Sequence, residues 1–218
     1  MPRTPSRKFE CFALFLLLPL LASCATVYTA PDFGDYKSEH KQIAILPFDV
    51  TINPEKRKDM SHKKLEQLAL RQAESFQRAL YTQYLQGQQR GKYTVEFQDI
   101  SETNTLLTKN STTGELQKYL SSLTKAEVCA ALDVDAIVSG EIVLTKPMGS
   151  VEAIASMYLF NVPGRTNEVY VNTSIHERDE GKLLWNYDYV HSGSILSSSE
   201  SVAKRLINSA AASFPYTK

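Results

Sequence analysis

The chain has 218 residues, with 24 Lys+Arg against 24 Asp+Glu and 43% hydrophobic content. A chain this neutral and this apolar is neither a disordered tail nor a basic protein that coats nucleic acid. Its length suits one domain with a sizeable core. A single long uncharged stretch excludes a multi-span membrane protein.

That stretch lies at the start. Arg3, Arg7 and Lys8 form a basic head, and Phe12 to Leu21 is apolar throughout, with Pro19 near its end. This is the charged-then-apolar layout of an export signal. The apolar run is about half of the ~20 residues a spanning helix needs. An uncleaved single-span anchor is the alternative, and Ser23, Thr26, Tyr28 and Thr29 make its second half too polar for hydrocarbon. Leu21-Ala22-Ser23-Cys24 resembles the bacterial lipobox, in which an aliphatic residue and two small residues precede a Cys. The resemblance implies cleavage between Ser23 and Cys24, diacylation of the Cys24 sulfur by palmitate-like chains and acylation of the new amine. Two or three chains make a durable anchor where one is marginal. Ala25 follows, where an Asp would retain the protein at the inner membrane. The resemblance therefore implies the outer membrane, on its periplasmic face.

Cleavage discards Cys11 and acylation consumes Cys24, which leaves Cys129 with no disulfide partner. Cys129 falls in an Ala/Leu-rich helical stretch and reads as a small buried filler. The leader also removes Arg3, Arg7, Lys8 and Glu10, so the mature chain is slightly acidic and no nucleic-acid partner is expected.

Residues 1–23 read as the signal peptide, 24–41 as a lipidated tether with Pro31, Gly34 and no period, and 42–218 as the folded domain. Gln42 to Phe48 is a compact apolar run ended by Pro47, a buried strand. Asn53 to Ser61 is a charged loop. Ser61 caps a long helix from His62 to about Gln86, striped by Leu65, Leu68, Ala69, Ala73, Phe76, Leu80 and Tyr84 and ended by Gly87 and Gly91. Tyr93, Val95 and Phe97 alternate as a short strand. Two short helices follow, one near Leu116 to Leu120. The other begins at Thr124, with Glu127 three residues on as a capping box. Val134 to Leu144 is a strand apolar on both faces.

Val169, Val171, Thr173 and Ile175 then alternate, and Leu183 to Tyr189 answers them across Asp179-Glu180-Gly181. A three-residue loop closed by a left-handed Gly pairs Ile175 with Trp185, Thr173 with Tyr187 and Val171 with Tyr189. That register puts the bulk on one face, and Asn172, Ser174, Asn186 and Asp188 on the other. Ser197 to Ser201 leads into a last helix striped by Val202, Leu206, Ala210 and Phe214. The order predicts an α/β single-domain sandwich: a mixed four- to five-stranded sheet with the long and terminal helices packed on it.

Three motifs point to a family. Ile43-Ala44-Ile45-Leu46-Pro47-Phe48 is similar to an opening strand "I-A-V-L-P-F". Ala131 to Gly140 is similar to "A-x-x-L-G-A-D-A-L-V-x-G", with Asp133 at the Gly position. Asp179 to Trp185 is similar to "D-x-x-T-G-x-x-L-W". In order and spacing, behind a lipobox, they resemble the periplasmic domains of the TolB N-terminal, LpoB and CsgG-like group over residues 42–213. The resemblance implies a non-enzymatic module that binds envelope proteins and often assembles into dimers or rings. Its expected work is to regulate or assist an envelope machine such as peptidoglycan synthesis. A curli-type pore needs long strands of about 9–11 residues that leave the domain. Lys146 to Thr166 is the only spare insertion and is broken by Pro147, Gly149, Pro163 and Gly164. Within it Ile154, Met157, Tyr158, Leu159 and Phe160 form a candidate partner patch, with packing on the core as the alternative.

No catalytic or metal constellation stands out. His40, His62, His176 and His191 do not pair in the preferred register, and phosphate loops and nucleophile elbows are absent. No cofactor is expected. The alternatives to a lipid-anchored binding module are an oligomeric secretion or assembly component without pore strands, and an enzyme with an unrecognised site.

Overall fold

A computed structural model describes residues 25–52, 60–111, 116–144, 167–193 and 199–218. Its centre is the strand expected to be apolar on both faces. In chain order the elements are β1 (Ala25–Thr29), α1 (Phe33–Glu39), β2 (Gln42–Ile45), β3 (Asp49–Ile52), α2 (His62–Gln89) and β4 (Glu96–Phe97). They continue with α3 (Ile100–Asn110), α4 (Leu116–Ser121), α5 (Lys125–Leu132), β5 (Ala136–Leu144), β6 (Asn167–Glu177), β7 (Leu183–Gly193) and α6 (Ser199–Ala212). One seven-stranded mixed sheet runs β1-β7-β6-β5-β2-β4, with β3 also on β5. β2 and β3 pair parallel to β5, whereas β6 pairs antiparallel to it. Seven strands exceed the expected four or five because β1 and β3 join the sheet.

The stretch expected to be a loose tether is structured. β1 pairs antiparallel with β7 from Ala25↔Tyr189 to Thr29↔Trp185. Ala30 and Phe33 are buried, and the Phe33 ring meets Tyr216 edge-on at 4.9 Å. Among the described residues, Ala25 to Glu39 thus pack with the sheet as part of the folded unit.

One face of the sheet carries the main core. Ile43, Ile45, Val138, Ile142, Val171, Ile175, Trp185 and Tyr187 lie under α2 and α6. The α2 stripe is buried at Leu65, Ala73, Phe76, Leu80 and Tyr84, while Leu68 and Ala69 are partly buried against it. Gly87 does not end the helix. It lies inside it because the Tyr93 ring occupies the space of a Cβ, 2.3 Å away at Cε2, and the left-handed Gly91 comes after the last turn. Tyr84, Tyr93, Phe97 and Phe214 interlock as a ring cluster, with Tyr84 and Phe214 centroids 4.4 Å apart. Such pairs stabilise beyond the area they bury.

A smaller core of Ala44, Leu46, Ile137, Val128, Cys129, Leu132, Val134 and Leu107 lies on the opposite face under α3, α4 and α5. The capping box at Thr124 is present, Thr124 and Glu127 each holding the other's backbone N–H. α3 was not anticipated. Asp99 caps it, accepting the Ser101 N–H at 2.8 Å.

The hairpin keeps the expected register from Asn167↔Gly193 to Ile175↔Trp185. It then slips: His176 pairs with Leu183, not with Leu184 as expected. The extra residue lets Leu184 and Trp185 both be fully buried while Leu183 stays exposed. Gly181 is left-handed at φ 71° as expected, but the loop is longer than the expected three residues, because the Glu177 N–H bonds the Lys182 carbonyl across Arg178 to Gly181.

Candidate functional site at the open face and free edge of the sheet

Pleating sends alternate residues to opposite faces. On β5, Ile137 faces α5, and Ser139, Glu141 and Val143 continue the same side. Their cross-strand partners in β6 are Ser174, Asn172 and Tyr170. Those pair in turn with Asn186, Asp188 and Val190 of β7, and the first two with Tyr28 and Thr26 of β1. Among the described residues, α3 to α5 cover only the Ala44, Leu46 and Ile137 end. The rest is an open face across β5, β6, β7 and β1 that continues onto Asp49 and Thr51 of β3, and Tyr28, Tyr170 and Val190 are exposed on it.

Its polar side chains hold one another. Asp188 accepts from the Tyr170 hydroxyl at 2.9 Å, from Asn172 Nδ2 at 2.6 Å and from Asn186 Nδ2 at 2.9 Å. Asn172 Nδ2 also donates to Asn186 Oδ1 at 2.9 Å, and the Ser139 and Ser174 hydroxyls are 3.0 Å apart. The hydrogen bond to Asp188, and then burial, push the Tyr170 hydroxyl above its ordinary pKa. With its oxygens engaged by three side-chain donors, Asp188 organises this polar surface.

Beside this face runs an open strand edge. The Ala30 N–H donates to the Leu184 carbonyl at 2.8 Å. Antiparallel ladders alternate, so Tyr28 and Thr26 also turn their backbone groups toward β7, and Ala25, Val27 and Thr29 turn theirs outward. Among the described residues no strand pairs with that side. All five residues of β1 are exposed, with Val27 and Tyr28 each 47% accessible.

The other dense group of titratable residues sits where α1, β2, β5 and the hairpin loop meet, and each member has a structural task. Asp135 accepts the backbone N–H groups of Lys41 and Gln42 at 2.7 and 2.9 Å. Burial pushes its carboxyl up, but those backbone donors prevail and hold it below the usual value. Glu177 folds back into its own turn and accepts the N–H groups of Asp179, Glu180 and Lys182 at 2.5, 3.0 and 2.7 Å. It too is lowered, burial being outweighed by those three donors. His40 Nδ1 meets the Tyr216 hydroxyl at 2.6 Å, and burial lowers its pKa against the pull of Asp135 and Glu177. Burial, then Glu177, push the Cys129 thiol up to about 12, so it stays protonated beside the His176 carbonyl. The expectation of a buried filler holds for this residue. Among the described residues no group of three or more His, Cys, Asp or Glu could hold a metal ion.

No family model matches the sequence, and no curated protein matches it well enough to count as a relative. Among solved structures the chain is similar to the PelC dodecamer from Paraburkholderia phytofirmans, at 11% identity and a TM-score of 0.44, over 85% of this chain and 94% of that one. It is also similar to lipoprotein GNA1162 from Neisseria meningitidis, at 13% identity and a TM-score of 0.39, over 80% of this chain and 99% of that one. Likeness at these scores carries no functional inference.

The residues singled out from sequence as functional lie outside the described residues: Ser23 and Cys24 at the leader junction, and Ile154, Met157, Tyr158, Leu159 and Phe160 in the insertion. Of the histidines, His62 is exposed beside Glu66 and His176 is half-buried under α5. Sequence reasoning placed Asn172, Asn186 and Asp188 on one face but assigned them no bonds to one another. The signal for a shared network was their cross-strand register. Glu177 left no local signal, because its partners are its own loop's backbone. Among the described residues no helix is long and apolar enough to cross a membrane.

Proposed function

We propose that this chain is a lipid-anchored, non-enzymatic protein-binding module of the bacterial cell envelope, held at the periplasmic face of the outer membrane. There it regulates or assists an envelope machine such as peptidoglycan synthesis. The observation that carries this reading is the junction of leader and fold. Cys24 closes the lipobox-like run, and the next residue, Ala25, opens β1. An acylated Cys24 would hold the edge of the sheet directly at the lipid surface, with no tether between.

The binding role is supported by the open face, a pre-organised surface of amides, hydroxyls and exposed Tyr28, Tyr170 and Val190. A second reading, an oligomeric component of an assembly or secretion complex, is favoured by the open edge of β1.

The test is metabolic labelling with a palmitate analogue. Label is expected on the full-length chain and lost in Cys24→Ala, with the folded domain no longer retained as an acylated membrane protein. An unlabelled chain that keeps its leader would overturn the proposal.

A further inference from the structure

We propose that β1 is a self-pairing edge, through which two copies of this chain join their sheets antiparallel about Val27. The inference deepens the reading of a membrane-held binding module by naming its partner as a second copy. It rests on that reading only for the confinement that brings copies together.

Exposed strand edges are templates for pairing, and natural proteins blunt them with charge, proline, bulges or brevity. β1 carries none of these defences. Ala25-Thr26-Val27-Tyr28-Thr29 has no charged residue, no Pro and no Gly, and its register against β7 is unbroken. The other margin of the sheet is blunted by brevity: β4 has two residues, and β3 has four and opens with Asp49.

The strand is also complementary to itself. The outward backbone groups belong to Ala25, Val27 and Thr29. Pairing about Val27 sets Val27 against Val27 of the second copy and Ala25 against Thr29, so every outward N–H and C=O of one strand meets one of the other. Thr26 then stands beside Tyr28 of the second copy as a non-hydrogen-bonded pair on the open face. No like charges meet anywhere along the edge. The contact is isologous, so it closes as a dimer. A five-residue edge alone is smaller than the roughly 1,200 Å² of a stable interface. Association is therefore weak in solution and strengthened by confinement on a surface.

The experiment reads the register. Full-length Thr26→Cys and Tyr28→Cys chains, carrying different tags, are produced separately and together in a bacterium with an envelope, and isolated membranes are oxidised. A non-hydrogen-bonded pair brings Cα atoms to about 4.5 Å, within disulfide range. A mixed-tag disulfide dimer is expected from the co-produced pair, well above the level from either variant alone or from Leu70→Cys, an equally exposed site on α2. Val27→Pro removes an outward N–H without touching the β7 ladder, so it should reduce that dimer while thermal unfolding of the domain persists. No mixed dimer, equal crosslinking in every combination, or a dimer indifferent to Val27→Pro in the folded protein would each overturn the proposal. Parent chains carry only buried Cys129 once Cys24 is acylated. If the parent crosslinks, the lipid anchor fails as a reading, and the register comparison is made in the Cys11→Ser, Cys24→Ser background, where the same outcomes decide.

Discussion

The ring of Phe48 lies where a side chain at residue 140 would go. A Cβ on Gly140 would stand 2.0 Å from Phe48 Cε1 and 2.3 Å from Cδ1. Phe48 is buried in the main core, 6.3 Å centroid to centroid from Phe76, so its ring has nowhere to retreat. Gly140→Ala is expected to destabilise by about 1–3 kcal/mol, the usual cost of overpacking. Adding Phe48→Ala should cancel part of that loss, a coupling between touching residues. Urea unfolding of the single and double variants measures both. Parent-like stability of Gly140→Ala would mean that Phe48 does not pack on β5.

Asp133 ends α5 in the left-handed region, at φ 53° and ψ 50°. The similar motif has Gly at this place, and glycine adopts that conformation without steric cost. Asp133 also pairs with Arg178 at 2.9 Å, but both side chains are substantially exposed, and such pairs are worth ~0–1 kcal/mol. Asp133→Gly should therefore leave stability unchanged or raise it by up to about 1 kcal/mol. Asp133→Val, β-branched and without the pair, should lower it. A clear loss of stability in the glycine variant would show that the ion pair dominates the cap.

Glu177 is the peg of the β6–β7 turn. Its Oε1 accepts from Glu180 and Lys182 and its Oε2 from Asp179. A glutamine would set an NH2 against a backbone N–H, so Glu177→Gln is expected to cost about 1–3 kcal/mol. The folded carboxyl titrates below its ordinary value of 4.5 because the backbone donors outweigh burial. The stabilisation is therefore fully present above that value and lost as pH falls through the folded pKa. Melting curves below pH 4.5 should show a steeper acid loss in the parent than in the variant, which keeps the contribution of Asp135. Identical acid limbs would remove the turn from the account.

The parts of the fold legible in sequence were those specified locally. The alternation of Val169, Val171, Thr173 and Ile175 against Trp185, Tyr187 and Tyr189 fixed the hairpin register, because any slip exposes that bulk. The α2 stripe and the Thr124 box were legible for the same reason. β1 was not. All five of its residues are exposed, so no apolar alternation marks it, and its place comes from hydrogen bonds to a strand some 160 residues away. Gly87 misled because helix ends favour glycine, whereas here the ring of Tyr93, folded back from beyond the helix end, needs the space. The bulge at Leu184 follows from burying two consecutive large residues, a demand of the assembled core. The open face was half legible: its residues were placed together, but their bonding needed β5, β6, β7 and β1 side by side.

His176 should make the protein sensitive to mild acid. Its ring lies under α5 with Nδ1 buried and without a hydrogen-bond partner. Burial first, and then the charge of Lys125, lower its pKa from 6.5 to about 4, against a weaker opposing pull from Glu177. The unfolded chain takes up a proton near pH 6.5, and the folded one not until about 4. Between those values the unfolded state binds more protons, so stability rises with pH across the window and is lost as pH falls through it. His40, also lowered mainly by burial, adds to the same slope. His176→Gln should flatten the dependence of the urea midpoint between pH 6.5 and 4 without abolishing it, because His40 remains. Ring resonances followed by NMR should place the His176 titration well below 6.5. The mechanism fails if the variant keeps the full parental slope, or if the His176 ring titrates at 6.5 or above. Most of this window lies above the one in which Glu177 acts, so the slope between pH 6.5 and 4.5 reports the histidines and the further loss below 4.5 includes Glu177.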